Sequence, residues 1–308
     1  PRMPIEGVQG AVEYRYDNVS AMDSGTAKIE GGNGQFAFHL SGTIRETDDV
    51  DIPGFAIDEK ALEQQEELLG HHDEGGHEEE ELENTDGFIA NTDSETGVIT
   101  GGFSFHFGDG NMTGFSASRI VNKYGLPPGT HEHAHEEEHG DDEHDDDDHD
   151  EHEEEESEEF IRIDMKQTRY DAMLHLEQPT ESINTIRGFM TYTDYEHKEL
   201  EGSEVGTLFA RETWETRVEV VYDALLGTEG VVGVQARVDE FEATGAEGYV
   251  PKTDSSEIGL FLIEDFHRDA WTYEAGLRFD YVERDPDSLA AARESFSSVS
   301  FSGSALWQ

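Results

Sequence analysis

Apolar and polar residues alternate along most of the chain. Val12 and Tyr14 share one side of an extended segment, while Glu13 and Arg15 share the other. A period of two residues is that of a β-strand, in which successive side chains point to opposite faces. The pattern predicts about twelve strands, near residues 8–17, 20–30, 35–47, 96–107, 112–123, 159–175, 183–198, 207–222, 230–243, 255–266, 270–284 and 295–308.

The connections between these segments fall into two sizes. Gly-Asn and Asp-Gly pairs in the short turns supply the positive φ that tight hairpins need. Because short and long connections alternate, we predict an antiparallel up-and-down sheet with its long loops at one end. Short turns are expected at 31–34, 108–111, 176–182, 224–229 and 267–270, and mostly longer loops at 48–95, 124–158, 199–206, 244–254 and 285–294.

This arrangement is typical of a transmembrane β-barrel. A tilted strand crosses a bilayer in roughly 9–11 residues, and the predicted segments reach or exceed that length. Tyr192, Tyr195 and Trp271 lie towards strand ends, where interfacial aromatic girdles occur. The polar faces would then line the lumen. The alternative is a soluble β-rich protein with one solvated face.

Charge narrows the choice of partner. The formal net charge is −53, so the field repels phosphate and nucleic acid is not expected to bind. Cations are the natural partners. The chain has no cysteine, which excludes disulfides and thiolate metal sites. No run of about 18 apolar residues exists, so no transmembrane helix is predicted.

Two acidic segments, 71–83 and 131–159, hold 10 of the 15 histidines and fall in long loops at the same end of the predicted sheet. Carboxylates alone suit calcium and magnesium, whereas neutral imidazole suits zinc, copper and nickel. We therefore predict capture of a transition metal such as zinc, copper or nickel. The alternative is a solvated acidic spacer. The predicted ligands are His71, His72, His77, His131, His133, His135, His139, His144, His149 and His152.

The long loops have further predicted features. Loop 48–95 is expected to carry a short surface helix at 57–69 before its histidine and glutamate cluster, and loop 124–158 is expected to be the main metal-capture loop. His39 and His106 face the predicted lumen and form a candidate metal path, although hydrogen-bonded lumen filling is the favoured interpretation. His197 is a weaker candidate ligand.

The sequence contains partial or complete matches to enzyme motifs, but the residues around them do not suit the corresponding active sites. His131 and His135 each begin an H-E-x-x-H match, but the flanks are wholly polar and offer no apolar face to bury a catalytic helix. The glycine-rich stretch 31–37 precedes a strand and not a helix, and the region of Ser116 lacks the full nucleophile-elbow pattern. We predict that the chain is not an enzyme.

Several stretches resemble TonB-dependent outer-membrane receptors. These are IPGFA at 52–56, KYGLP at 123–127, IRIDMKQTRYD at 161–171, MTYTDYEHKELEGSEVGTLF at 190–209, YVPKT at 249–253 and GLFLIEDFHRDAWTYEAGLRFDYVERDPD at 259–287. The histidine-rich loop after Tyr124-Gly125 is similar to that of the zinc-receptor branch.

The resemblance implies a barrel of about 22 strands with an N-terminal plug, set in the outer-membrane lipid of a Gram-negative cell. It also implies partnership with the TonB complex, driven by the proton gradient, with short turns periplasmic and long loops extracellular. On this resemblance residues 1–308 are expected to be a partial barrel that begins after the plug and stops in mid-barrel.

The expected function is therefore uptake of zinc, or of a related transition metal, captured by surface loops above the barrel. Two alternatives stay open within this fold: a metal-buffering barrel without transport, and a receptor for a metal chelate of the siderophore kind. A complete twelve-stranded outer-membrane enzyme, such as a lipase, is a third. It would need a Ser–His pair on adjacent strands at the lipid face, which the alternation pattern does not offer.

Overall fold

The computed structural model describes residues 6–58, 84–127, 160–223, 228–245, 248–288 and 290–307. Within these residues all regular structure is β, and no helix is long and apolar enough to cross a membrane. The strands are β1 Glu6–Tyr16, β2 Asp23–Asn33, β3 Phe36–Thr47, β4 Val50–Phe55, β5 Asp86–Ile89, β6 Ser94–Phe107, β7 Asn111–Gly125, β8 Ile161–Thr180, β9 Ile183–Glu201, β10 Glu204–Asp223, β11 Glu229–Gly245, β12 Thr253–Arg268, β13 Trp271–Pro286 and β14 Glu294–Trp307.

Twelve of these strands form one antiparallel sheet. Its order is β1-β2-β3-β6-β7-β8-β9-β10-β11-β12-β13-β14, so each strand pairs with its neighbours in the chain and no connection crosses over. In the described part of the chain, β1 and β14 are the edges. The predicted up-and-down, all-β architecture is confirmed, and every predicted segment lies at a strand.

The tight turns use the local chemistry expected of them. Between β2 and β3, the side-chain oxygen of Asn33 accepts hydrogen bonds from the backbone nitrogens of Gln35 and Phe36 at 3.1 and 2.8 Å. Gly34, which lies between Asn33 and Gln35, adopts φ +86°, and residues with a Cβ rarely adopt this conformation. This side-chain cap and the glycine together reverse the chain within two residues.

The strongest departure from the predicted loops is at β9 and β10. These strands of 19 and 20 residues are joined by only Gly202 and Ser203, where a loop over 199–206 was predicted. Charged residues such as Glu196, Lys198 and Glu199 occupy both faces of β9 near this turn. The apolar–polar alternation therefore fades although the strand continues, so the sequence pattern ends too early.

Burial in the main sheet is the reverse of that in a water-soluble protein. One face, here called the apolar face, exposes large side chains, for example Val12 at 86% and Phe103 at 54%. The other, the polar face, contains the buried positions of the sheet, including Ser104 at 1% and Asp239 at 5% exposure. An apolar exterior around a polar interior is the arrangement of a β-barrel in a bilayer.

A second, small sheet lies in the connection between β3 and β6. It consists of β4 and β5, in which Val50 pairs with Ile89 and Asp51 with Phe88. Both strands lie in the predicted loop 48–95, and the sequence pattern does not predict them because strands of six and four residues are too short to show a period. The helix predicted at 57–69 falls almost entirely outside the described residues.

Candidate functional site

The ten histidines predicted to capture metal, at 71–77 and 131–152, lie outside the described residues. The structure does describe the chain on both sides of each segment. Within the described ranges, no group of three or more His, Cys, Asp or Glu side chains is arranged to hold a metal ion. The metal site predicted in the two loops therefore stays a prediction. The structure instead shows how the chain is held at the base of each segment.

The base of the longer segment is closed by hydrogen bonds around Asn91. Its side-chain nitrogen donates to the carbonyl oxygens of Leu126 and Ile161, at 2.7 and 2.8 Å. These two residues flank the segment 127–160, and the backbone nitrogen of Leu126 also donates to the Ile161 oxygen at 3.0 Å. Asn91 is 7% exposed. The histidine-rich segment therefore starts and ends at one point.

An ion pair reinforces the same base. Arg162 donates through both terminal nitrogens to the two carboxylate oxygens of Asp93, each at 2.7 Å, and reaches the side-chain oxygen of Asn91 at 3.0 Å. The hydrogen bond from Arg162 holds the pKa of Asp93 below its ordinary value. Bidentate pairs of this kind fix geometry as well as charge. We call Asn91, Asp93 and Arg162 the clasp.

The shorter segment starts from the same region. The side chain of Asn84 bridges to Ile57, accepting from its nitrogen at 2.8 Å and donating to its oxygen at 3.1 Å. One carboxylate oxygen of Asp49 accepts from the backbone nitrogens of Thr92 and Asp93, at 2.7 and 3.1 Å. The bases of both histidine-rich segments are thus joined through β4 and β5 to the clasp.

His39 and His106 both lie on the polar face, as predicted. The His39 ring is 3.3 Å from the hydroxyl of Ser41, and Nε2 of His106 is 3.2 Å from the hydroxyl of Ser104. The register sets the two histidines apart, because His39 pairs with Gly102 across the strands. These contacts agree with hydrogen-bonded wall residues, and a metal path through the pair stays a prediction.

The register instead aligns His106 with a residue given no role from the sequence. His106 on β6 pairs with Met112 on β7, and Met112 pairs with His175 on β8. The three side chains lie in one row on the polar face and, with Met173, line a concavity of about 630 Å³ near the short turns. The short turn at 108–111 makes the pairing of His106 with Met112 predictable from the sequence. The pairing of Met112 with His175 is not predictable in this way, because the long loop separates these two residues.

Several charged side chains elsewhere on the polar face are paired with each other. Asp239 accepts from Arg211 at 3.1 Å and lies 3.2 Å from Arg237, and Arg169 donates to Asp171 at 2.8 Å. At these positions each guanidinium faces a carboxylate, so these pairs present little unpaired positive charge to an anion.

An aromatic cluster lies on the polar face of β9 to β11, towards the long-loop end. The His197 ring stacks on Phe209 with centroids 4.5 Å apart and meets Tyr195 edge-on at 5.5 Å. Phe241 continues the cluster, 6.5 Å from Phe209. His197 Nδ1 is buried without a hydrogen-bond partner among the described residues. The cluster is a flat, partly apolar surface inside an otherwise charged wall.

Aromatic rings on the apolar face mark the edge of its hydrophobic band. Tyr170, Tyr192 and Trp214 follow one another across β8, β9 and β10, with centroid distances of 6.3 and 4.6 Å. Beyond them the same face carries charged residues, for example Asp194 and Glu196. Tyr and Trp favour the boundary between hydrocarbon and water, so the strand ends past this row lie in water in a membrane-embedded barrel.

Comparison with known proteins agrees with this geometry. A family model described as "TonB dependent receptor-like, beta-barrel" matches residues 83–308. A search of curated proteins finds no match. Among solved structures, the copper transporter OprC is similar with a TM-score of 0.64 at 11% identity, covering 99% of this chain and 42% of its own.

Two further structures show the same fold. The FrpB iron transporter from Neisseria meningitidis gives a TM-score of 0.61 at 11% identity, over 98% of this chain and 42% of that one. The alcaligin outer-membrane receptor FauA from Bordetella pertussis gives 0.55 at 12%, over 98% and 41%. This chain thus spans about two fifths of their length, and such low identities show fold alone. The zinc branch is not identified by these matches. The chain belongs to the TonB-dependent receptor family and forms part of its β-barrel.

Proposed function

We propose that this chain is part of an outer-membrane receptor that takes up a transition-metal ion, zinc first, by TonB-dependent transport. In this proposal loops 48–95 and 124–158 are extracellular and their histidines bind the ion above the barrel. The polar face lines the lumen, and the short turns lie in the periplasm. Energy comes from the proton gradient through the TonB complex.

One observation carries the proposal. The two histidine-rich segments are rooted at a single hydrogen-bonded base, formed by the clasp and the small sheet of β4 and β5. Segments tethered at one base share a small volume, which raises the effective concentration of each one's ligands for an ion held by the other. Ten imidazoles at one end of a lumen would concentrate a scarce ion there.

Residue chemistry supports a transition metal. Neutral imidazole prefers zinc, copper and nickel, whereas a purely acidic loop would fill with calcium or magnesium. The carboxylates between the histidines supply an attractive field and additional oxygen ligands. Each site made from a subset of these ligands is imperfect, so the ion is released readily to the lumen.

The aromatic cluster around His197 favours a second candidate, a receptor for a metal chelate. Flat rings at 4.5 to 6.5 Å spacing offer stacking surface to the organic part of such a ligand. A chelate would contact this cluster and have no need of the loop histidines. The two candidates therefore differ in whether uptake depends on the loop histidines or on the aromatic cluster.

The test is uptake of radioactive zinc by zinc-starved cells. It compares the full-length receptor with a variant lacking 131–159 and with one carrying a Gly/Ser spacer of the same length, each with and without the proton gradient. We expect both variants to lose most uptake and the intact receptor to need the gradient. Gradient-dependent uptake that ignores the deletion would reject capture by this loop.

The same experiment decides between the alternatives. Zinc binding at the cell surface without gradient-dependent uptake would indicate a metal-buffering barrel. If zinc is neither bound nor taken up, the free ion is not the cargo, and a metal chelate should be tested in its place with Phe209→Ala as the diagnostic variant.

A further inference from the structure

The row of His106, Met112 and His175 is built into three adjacent strands. Neighbouring strands lie about 4.8 Å apart, so the two histidines are about 10 Å apart with the methionine between them. A Nε2 atom reaches several ångströms beyond its Cβ, so both rings can meet over the central side chain. Met112 is 6% exposed and lines the concavity.

Each imidazole already has a partner that orients it. Nε2 of His175 is 3.1 Å from a carboxylate oxygen of Glu177, and Nε2 of His106 is 3.2 Å from the Ser104 hydroxyl. Nε2 is also the ring nitrogen that reaches over Met112, so an ion bound between the two rings would replace these two contacts.

Glu177 is itself held in place. Its backbone nitrogen donates to the side-chain oxygen of Asn111 at 2.8 Å, which ties the end of β8 to the start of β7. Arg187 follows His175 in the row, and its positive charge opposes a cation. Glu219 lies 3.9 Å from that guanidinium and Glu177 contacts His175, so two carboxylates offset the one positive charge.

The ligand types select the ion. Thioether sulfur is a soft ligand that favours Cu(I), while imidazole accepts copper and zinc alike. Met173 lines the same concavity and supplies a second thioether. Two imidazoles and two thioethers on one wall suit Cu(I) better than any hard cation.

We propose that His106, Met112 and His175, with Met173, form a Cu(I)-binding site on the lumen wall at the end opposite the histidine-rich loops. The site stands on its own geometry. Only its role as a second binding site on an uptake route rests on the proposed function. In that role the site extends the proposed cargo from zinc to copper.

Copper K-edge X-ray absorption of the purified full chain in detergent, loaded with one equivalent of Cu(I), tests the site. The loop segments 71–83 and 131–159 contain no methionine, so copper–sulfur scattering marks a methionine site and not the loops. We expect sulfur scattering in the unaltered chain and its loss in the Met112→Leu/Met173→Leu variant. Met190→Leu on the apolar face is the matched control and should keep the signal.

A second pair of variants tests the nitrogens. His175→Gln should lower Cu(I) affinity at least tenfold in competition with a chelator, whereas His267→Gln, at another short turn, should not. The proposal is overturned if the unaltered chain shows no copper–sulfur scattering, or if the signal survives in the double methionine variant. Because the readout is a bound ion, a failure of zinc uptake would reject the proposed function and leave this site standing.

Discussion

The two ends of the sheet carry their proposed metal ligands in opposite ways. At the long-loop end the histidines follow one another along the chain, and the described structure supplies only their common base. At the short-turn end His106, Met112 and His175 come from three strands and meet only through the register. Ligands that are local in sequence can be recognised without a structure, and ligands assembled across strands cannot.

The largest effect is expected from acid at the long-loop end, where a lower pH should weaken zinc binding. Histidine titrates near pH 6.5, so lowering the pH from 7.5 to 5.5 should weaken zinc binding about tenfold for each ligating imidazole. A site with three histidines loses about a thousandfold, measured with a competing zinc indicator on the purified chain. Calcium bound by carboxylates is the control, because Asp and Glu titrate near pH 4. Equal losses of zinc and calcium would contradict imidazole binding.

Removing the centre of the clasp should open the base of the long segment. Asn91→Ala leaves the carbonyls of Leu126 and Ile161 without their side-chain donor, at about 1–3 kcal/mol for a buried unpaired group. Hydrogen exchange at the amide of Leu126 should accelerate about 10- to 100-fold. Because Asn91 has φ +56°, Asn91→Gly separates the lost hydrogen bonds from backbone strain. If both variants exchange at the original rate, the clasp does not hold the base.

The clasp ion pair should show itself in a titration. The pKa of Asp93 is held below 3.8 by the Arg162 hydrogen bond, so the pair stabilises the base above that pH. This stabilisation is lost as the pH falls through the depressed value. Carboxyl NMR should give a midpoint below 3.8 in the intact chain and a return towards it in Arg162→Met. An unchanged midpoint would show that the guanidinium is not the cause.

The smallest effect is expected from an ion pair outside the clasp. Lys198 and Glu196 lie 3.8 Å apart on the apolar side of β9, past the aromatic row, and both are partly exposed. Exposed pairs contribute about 0–1 kcal/mol, so Lys198→Ala should change the unfolding midpoint in detergent by less than Arg162→Met does. A larger loss from Lys198→Ala would reverse the ranking of the two ion pairs.

Period-two alternation was sufficient to predict the twelve-stranded sheet, since each strand inside a bilayer needs one apolar and one polar face. The same reason explains the failure at β9 and β10. Past Trp214 and Tyr192 both faces meet water, so charges such as Glu196 and Lys198 interrupt the pattern while the backbone pairing continues. Composition revealed the histidine-rich loops, but the clasp depends on Asn91 and Arg162, which are 71 residues apart.

The hairpin of β9 and β10 has a practical consequence. Its strands continue about nine residues past the aromatic row and are joined through Gly202 and Ser203. In the proposed orientation this hairpin projects above the bilayer. Its tip would be among the first parts of the molecule met by an antibody or a phage. An epitope tag inserted between these two residues would therefore report surface display on intact cells without disturbing the lumen or the histidine-rich segments.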